Sequence, residues 1–118
     1  IRFAPKTTLT SIVDNWDDYY VARVKAQLEG KWTSTDTWDG LAANMVNMAP
    51  YTNMPDDVKK LAQDTEQAIK SGKLDPFKCP VYAQDGKEVP CKGKGALSDE
   101  QVLGMNFYIK GIDDSLPK

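Results

Sequence analysis

The segment from Phe77 to Lys92, FKCPVYAQDGKEVPCK, constrains the fold more tightly than any other part of the chain, because its near-symmetry fixes a strand register. A three-residue loop, Gln84-Asp85-Gly86, puts Gly86 in the left-handed conformation that such a hairpin needs and that glycine adopts without a Cβ penalty. Counting outward pairs Ala83 with Lys87, Pro80 with Pro90, and Cys79 with Cys91. The prolines then oppose each other at a non-hydrogen-bonded pair, where their missing amide protons matter least. The two sulfurs also face each other, although at a hydrogen-bonded pair, the less usual place for a bridge. A two-residue loop, Asp85-Gly86, is the alternative; it slips Cys91 opposite Pro80 and favours two reduced thiols. A Cys79–Cys91 disulfide would close a short loop, contribute about 3 kcal/mol, and indicate an oxidising compartment.

Upstream, apolar periodicity alternates between strand and helix. Residues 9–13, LTSIV, favour a strand. Tyr20, Val24 and Leu28 then recur every four residues with Val21 beside them, while Arg23, Lys25, Gln27 and Glu29 take other faces; this predicts an amphipathic helix stopped by Gly30. The alternation in Met45-Val46-Asn47-Met48-Ala49 suits a half-buried strand stopped by Pro50. A second helix is punctuated at both ends. Pro55 suits its first position, Asp56 and Asp57 its first turn, and Gly72 its end, with Val58, Leu61, Ala62, Thr65 and Ile69 as the buried stripe. Ser98 and Gln101 have capping-box spacing, and Met105, Phe107 and Ile109 alternate as a last strand would. Strand, helix, strand, helix, hairpin, strand is an α/β pattern.

Several function classes drop out by composition. The 118 residues contain no histidine, which removes His-based triads and the commonest zinc ligand. Two cysteines cannot complete a four-ligand zinc site, and no GxxxxGK[ST] or GxGxxG loop is present to hold phosphates. The 15 basic and 17 acidic residues leave a net charge of -2 with the basic residues dispersed, so nucleic acid is not an expected partner. No run approaches the roughly 18 apolar residues of a membrane-spanning helix. Neither a catalytic group, a metal nor a cofactor is expected. The chain opens on Ile1-Arg2-Phe3 without an initiator methionine, so a preceding segment is expected to have been removed.

The stretch LTSIVDNWDDYY places three carboxylates around one indole. Asp17 and Asp18 fall in the first helical turn, where anions complement the positive end of the helix dipole, and need no ligand. Asp14 and Asn15 are candidate helix caps or ligand contacts. Trp16 is a candidate for stacking on a ligand or for packing, and Trp38 and Tyr51 read as structural.

The runs LTSIVDNWDDYYVARVKAQLEGKW, STDTWDGLAANMVNMAPYTNMPDDVKKLAQDTEQAIKSGKLDPF and LGMNFYIKGIDDSLPK together resemble the C-terminal part of the basic membrane protein (PnrA-like) family. These are solute-binding lipoproteins or periplasmic proteins of bacterial ABC transporters, about three times this length. The resemblance covers nearly the whole chain. It implies that residues 1–118 are the C-terminal segment of a type I periplasmic-binding-protein fold, two α/β lobes with crossing strands, here with a C-terminal β-hairpin. It also implies capture of a purine nucleobase or nucleoside between lobes and delivery to an ABC permease, with no chemistry on the ligand. The N-terminal part of the same protein would supply the remaining contacts. Where nucleoside-binding members carry a lysine that reaches the ribose, four residues after the Thr of a TSxVK step, this chain carries Asp14. A carboxylate cannot donate as an ammonium does, but it can accept from an exocyclic amine or ring N–H. Asp14, Trp16 and Asn15 are therefore the implied ligand-binding residues, and a free base such as adenine the implied solute class. The rival reading is a free-standing, disulfide-stapled α/β interaction module with Trp16, Trp38 and Tyr51 as its patch.

Overall fold

The computed structural model describes residues 3–114. It divides into two compact units, Ile1–Lys73 and Leu74–Lys118.

In the first unit, strand β1 (Ile12–Asp14) pairs antiparallel with β2 (Val46–Met48), with Val13 opposite Asn47. The ribbon is lengthened by single bonds at both ends: the Ala49 amide donates to the Ser11 carbonyl at 2.8 Å and the Asn15 amide to the Met45 carbonyl at 2.8 Å. The first strand thus sits later than the 9–13 run predicts and takes in Asp14. The cause is the partner's position, because Asp14 must lie opposite Val46 for the ladder to close.

Helix α1 (Asp17–Leu28) follows at once. Neither Asp14 nor Asn15 caps it. The N-cap is Trp16, which offers no side-chain acceptor, and the first-turn amides are complemented by Asp17 and Asp18 alone. At the other end Gly30, at φ +67°, allows the Lys31 amide to reach the Ala26 carbonyl (2.8 Å) and its own amide the Gln27 carbonyl (3.1 Å). That is a Schellman closure, and it satisfies carbonyls the helix would otherwise leave bare.

The covered face of α1 is not the apolar one. Tyr19, Arg23 and Ala26 are half-buried, whereas Tyr20, Val21, Val24 and Leu28 are exposed, Leu28 at 84%. The expected buried stripe points outward, and no other described helix or strand packs on α1. Full burial of a Val or Leu side chain is worth roughly 1.5–3 kcal/mol, so each exposed one forgoes stabilisation of that order.

A 3-10 turn, Leu41–Ala43, precedes β2 and touches both β2 and helix α2 (Asp56–Lys70). Pro55 is the N-cap of α2 rather than its first helical residue, with an extended ψ of 153°. Gly72, at φ +71°, closes the far end as predicted, in the same Schellman arrangement. Ala62, Thr65 and Ile69 are half-buried as the stripe requires, but Val58 and Leu61 are exposed. The segment between β2 and α2 is tied by Asn53, whose Nδ2 donates to the carbonyls of Pro5 (2.9 Å) and Thr8 (2.8 Å).

The second unit is built on the hairpin of β3 (Val81–Tyr82) and β4 (Glu88–Val89). Val81 opposes Val89 and Tyr82 opposes Glu88, the register counted from the sequence, with Gly86 at φ +83° in the loop. Cys79 and Cys91 are disulfide-bonded, their Cα atoms 6.3 Å apart, within the span a disulfide bridges. The Cys79 amide donates to Gly95, not across to Cys91, so the bridge lies just outside the hairpin ladder. Helix α3 (Asp99–Leu103) begins with the predicted capping box between Ser98 and Gln101. The Gln101 side chain also accepts from the Lys92 amide (2.9 Å) and donates to the Pro90 carbonyl (2.7 Å), bracketing Cys91 as a neighbouring strand would.

The expected last strand over Met105, Phe107 and Ile109 is reduced to an isolated bridge between Ile109 and Ala83. Its backbone bonds reach Tyr82 and Gln84 and go no further, because the hairpin strands they meet are only two residues long. Leu97 is the one buried hydrophobic side chain among the described residues.

Candidate functional site

The three ligand-contact candidates are consecutive, at the step from β1 into α1. The strand ladder fixes the Asp14 backbone against Val46, and its side chain is exposed with no hydrogen bond or ion pair among the described residues. That leaves a carboxylate free to accept from a solute.

Asn15 also makes local bonds. Its backbone amide bonds Met45 and its Nδ2 donates to the Asn44 carbonyl at 2.9 Å, so it fastens the β1 end to the turn before β2. Asn44 holds a left-handed backbone there, at φ 60°, which asparagine tolerates better than most residues. Asn15 thus fastens the backbone here, and its side-chain oxygen makes no hydrogen bond among the described residues.

Trp16 is 43% exposed and belongs to an aromatic cluster. Its ring meets Tyr19 edge-on, with centroids 5.5 Å apart at 77°, and Tyr20 in a tilted arrangement at 6.0 Å and 34°. Tyr19 and Tyr20 are themselves edge-to-face at 5.8 Å. The Arg23 guanidinium lies 5.4 Å from the Tyr19 ring centroid, where the negative face of the ring attracts it. Its Nε is buried and without a hydrogen-bond partner among the described residues.

Reading the sequence for caps and dipoles missed Tyr19, Tyr20 and Arg23 as a group. The signal was present: Trp16, Tyr19, Tyr20 and Arg23 stand at i, i+3, i+4 and i+7, the spacing that brings side chains together along one side of a helix. Together with Asp14, two residues before Trp16, they put exposed aromatic rings and an exposed acceptor on the same strand-to-helix step. Such a pairing can hold a planar heteroaromatic ring by stacking and an N–H edge by hydrogen bonding.

Of the other aromatic candidates, Tyr51 is structural. Its hydroxyl donates to Glu66 Oε2 at 3.1 Å, and Glu66 Oε1 accepts from Lys70 at 2.8 Å. Burial, and then the neighbouring carboxylate, raise the Tyr51 pKa, while the Lys70 ammonium holds Glu66 below its ordinary range against the opposing effect of burial. Trp38 stands exposed at 56%, in the loop before the 3-10 turn.

The second unit has a concavity of about 780 Å³ whose walls include Phe77, Tyr82, Phe107 and Ile109, with Lys78 and Lys110. No acidic side chain lines it, so the pairing of aromatic surface with a carboxylate belongs to the first unit. No described helix is long and apolar enough to cross a membrane.

No protein-family model matches the chain. The chain is similar over all 118 of its residues, at 54% identity, to a purine-binding protein of Brucella abortus (strain 2308). It spans 33% of that relative's length.

Proposed function

We propose that this chain is part of a solute-binding protein that takes up a purine and delivers it to the permease of a bacterial ABC importer. The observation that carries the reading is the 54% identity, without an unmatched stretch of the chain, to a protein named for purine binding. The exposed Asp14 carboxylate beside the Trp16 cluster supports it chemically. A carboxylate accepts from an exocyclic amine or a ring N–H, so a free base carrying such a donor is the solute proposed for the site. In this reading the chain contributes one wall of a cleft in a two-lobed type I binding protein, and the rest of the polypeptide contributes the other. A disulfide agrees with a periplasmic or membrane-anchored lipoprotein location. The similarity of the whole chain to one third of a longer purine-binding protein favours this reading over the rival, a free-standing interaction module.

The test is to purify the full-length polypeptide, denature it, and identify released small molecules by mass spectrometry, with thermal shift against bases and nucleosides as a second readout. A retained purine, or a shift with purine bases, is expected. The absence of both would end the proposal. Asp14→Ala should weaken purine binding about tenfold or more, the scale of a hydrogen bond to a charged group, while leaving the melting temperature nearly unchanged.

A further inference from the structure

The chain contains two Asp–Gly steps, Asp39–Gly40 and Asp85–Gly86, and the structure holds them in opposite ways. An aspartyl carboxyl followed by glycine can close on the next backbone nitrogen, because glycine has no Cβ to obstruct the approach. At Asp85–Gly86 the atoms that would react are tied. The Gly86 amide donates to the Ala83 carbonyl at 2.9 Å, and Asp85 accepts from the Lys87 amide at Oδ1 (3.0 Å) and from the Lys87 ammonium at Oδ2 (2.7 Å). None of these restraints has a counterpart at Asp39–Gly40. Both residues are exposed, and neither the Asp39 carboxylate nor the Gly40 amide makes a hydrogen bond or ion pair among the described residues. They stand at the end of a run, residues 32–39, whose backbone makes no hydrogen bond to other described backbone.

We propose that Asp39–Gly40 is a modification site at which the backbone isomerises spontaneously to isoaspartate, and that Asp85–Gly86 is protected from the same reaction. The Gly40 nitrogen attacks Cγ of the protonated Asp39 carboxyl; an N–Cγ bond forms, a Cγ–O bond breaks, and the amide proton leaves with the hydroxyl as water. A cyclic imide remains. Hydrolysis of the imide at Cγ restores Asp39. Hydrolysis at the main-chain carbonyl breaks its bond to nitrogen instead, which routes the backbone through the side chain and frees the α-carboxyl. Water is the sole reagent, and the product has the mass of the starting chain. The change reaches the candidate site through two hydrogen bonds: the Gly40 carbonyl accepts from the Met45 amide (3.2 Å), and the Met45 carbonyl accepts from the Asn15 amide (2.8 Å). One methylene added to the backbone before Gly40 displaces the first of these acceptors, so the turn that seats Asn15 loosens.

The test ages the full-length protein at mildly acidic pH, native and in urea, digests it at intervals, and separates the peptides, with electron-transfer fragmentation to mark the β-linkage. In the native protein isoaspartate should accumulate at Asp39 about tenfold or more faster than at Asp85, the factor set by one hydrogen bond to a charged group. A transient peptide lighter by one water should precede it. In urea the two rates should converge. The proposal is overturned if native Asp39 stays unchanged or if Asp85 reacts as fast. It is equally overturned if the same preference persists in urea, which would make it a property of the neighbouring residue types. Gly40→Ala should slow the reaction at Asp39 and leave the protein folded, since a Cβ there meets no atom within 4 Å. An unchanged rate in that variant would count against attack by this nitrogen. Hydrogen exchange at the Met45 amide should quicken as isoaspartate accumulates; unchanged exchange would overturn the link to the candidate site. These measurements need no ligand and do not depend on purine binding.

Discussion

The two units hold themselves together by different means. In Leu74–Lys118 the fastening is local and partly covalent: a disulfide across 12 residues, a hairpin with its register set by its own loop, and Gln101 stitched to both sides of Cys91. In Ile1–Lys73 the ties are polar and span long stretches of sequence, such as Asn53 to Pro5 and Thr8, Asn15 to Asn44, and Thr10 to Ala49. Its apolar residues contribute little burial. The difference teaches where each unit's stability comes from: one carries its own staple, and the other relies on polar ties while many of its aliphatic side chains stay exposed.

That contrast can be broken experimentally. Cys79→Ser should have the largest effect, about 3 kcal/mol for a loop of this size, visible as faster hydrogen exchange at the Ala83 and Leu97 amides. Exchange at Ala49 and Asn15 should be unaffected; equal loosening there would mean the units are not separately fastened. Gly93→Ala comes next at roughly 2 kcal/mol, since its Cβ would stand 2.6 Å from the Ala96 carbonyl oxygen and force the turn beside buried Leu97 to shift. Thermal melting and the same exchange sites report it.

The first unit is probed by Asn53→Ala, expected to cost about 1.5 kcal/mol by removing both Nδ2 bonds and leaving alanine in the left-handed region at φ 53°. Asn53→Gly relieves the backbone and separates the two contributions. The smallest effect is assigned to Glu66→Gln, about 1 kcal/mol near neutral pH. Because Lys70 and Tyr51 hold the folded Glu66 below its ordinary value of 4.5, that contribution is present above this value and fades as the pH falls through the folded pKa. The variant's stability should therefore depend less on pH in that acid range; an unchanged slope in urea titrations would rule the pair out as a contributor.

What was legible from the sequence follows the range of the interactions. Gly30 and Gly72 ended helices as read, and Ser98 with Gln101 formed its box, because each of those decisions is made within one turn of backbone. The hairpin register was equally local, and with it the disulfide. The placement of Asp14 in a strand was not legible, since it depends on Val46, 32 residues away in the chain. Nor was the fate of Met105 to Ile109, where Met105 and Phe107 are half-buried but Ile109 is exposed and Tyr108 is not, and too little strand is available to pair with. At the candidate site, the sequence pointed to Asp14, Asn15 and Trp16, and the structure groups Tyr19, Tyr20 and Arg23 with Trp16 and shows Asn15 also bonded to the Asn44 carbonyl.

The sequence by itself determined the helix stops and offered the hairpin register that the structure shows, while leaving the state of its cysteine pair open, because local geometry is a property of neighbouring residues. Only the tertiary structure decided which side of α1 is covered, and it chose Tyr19 and Arg23 over Val24 and Leu28. A periodic apolar stripe tells that a helix has a face to bury. What lies against that face is set by elements distant in sequence, and for α1 none of the described ones fills it.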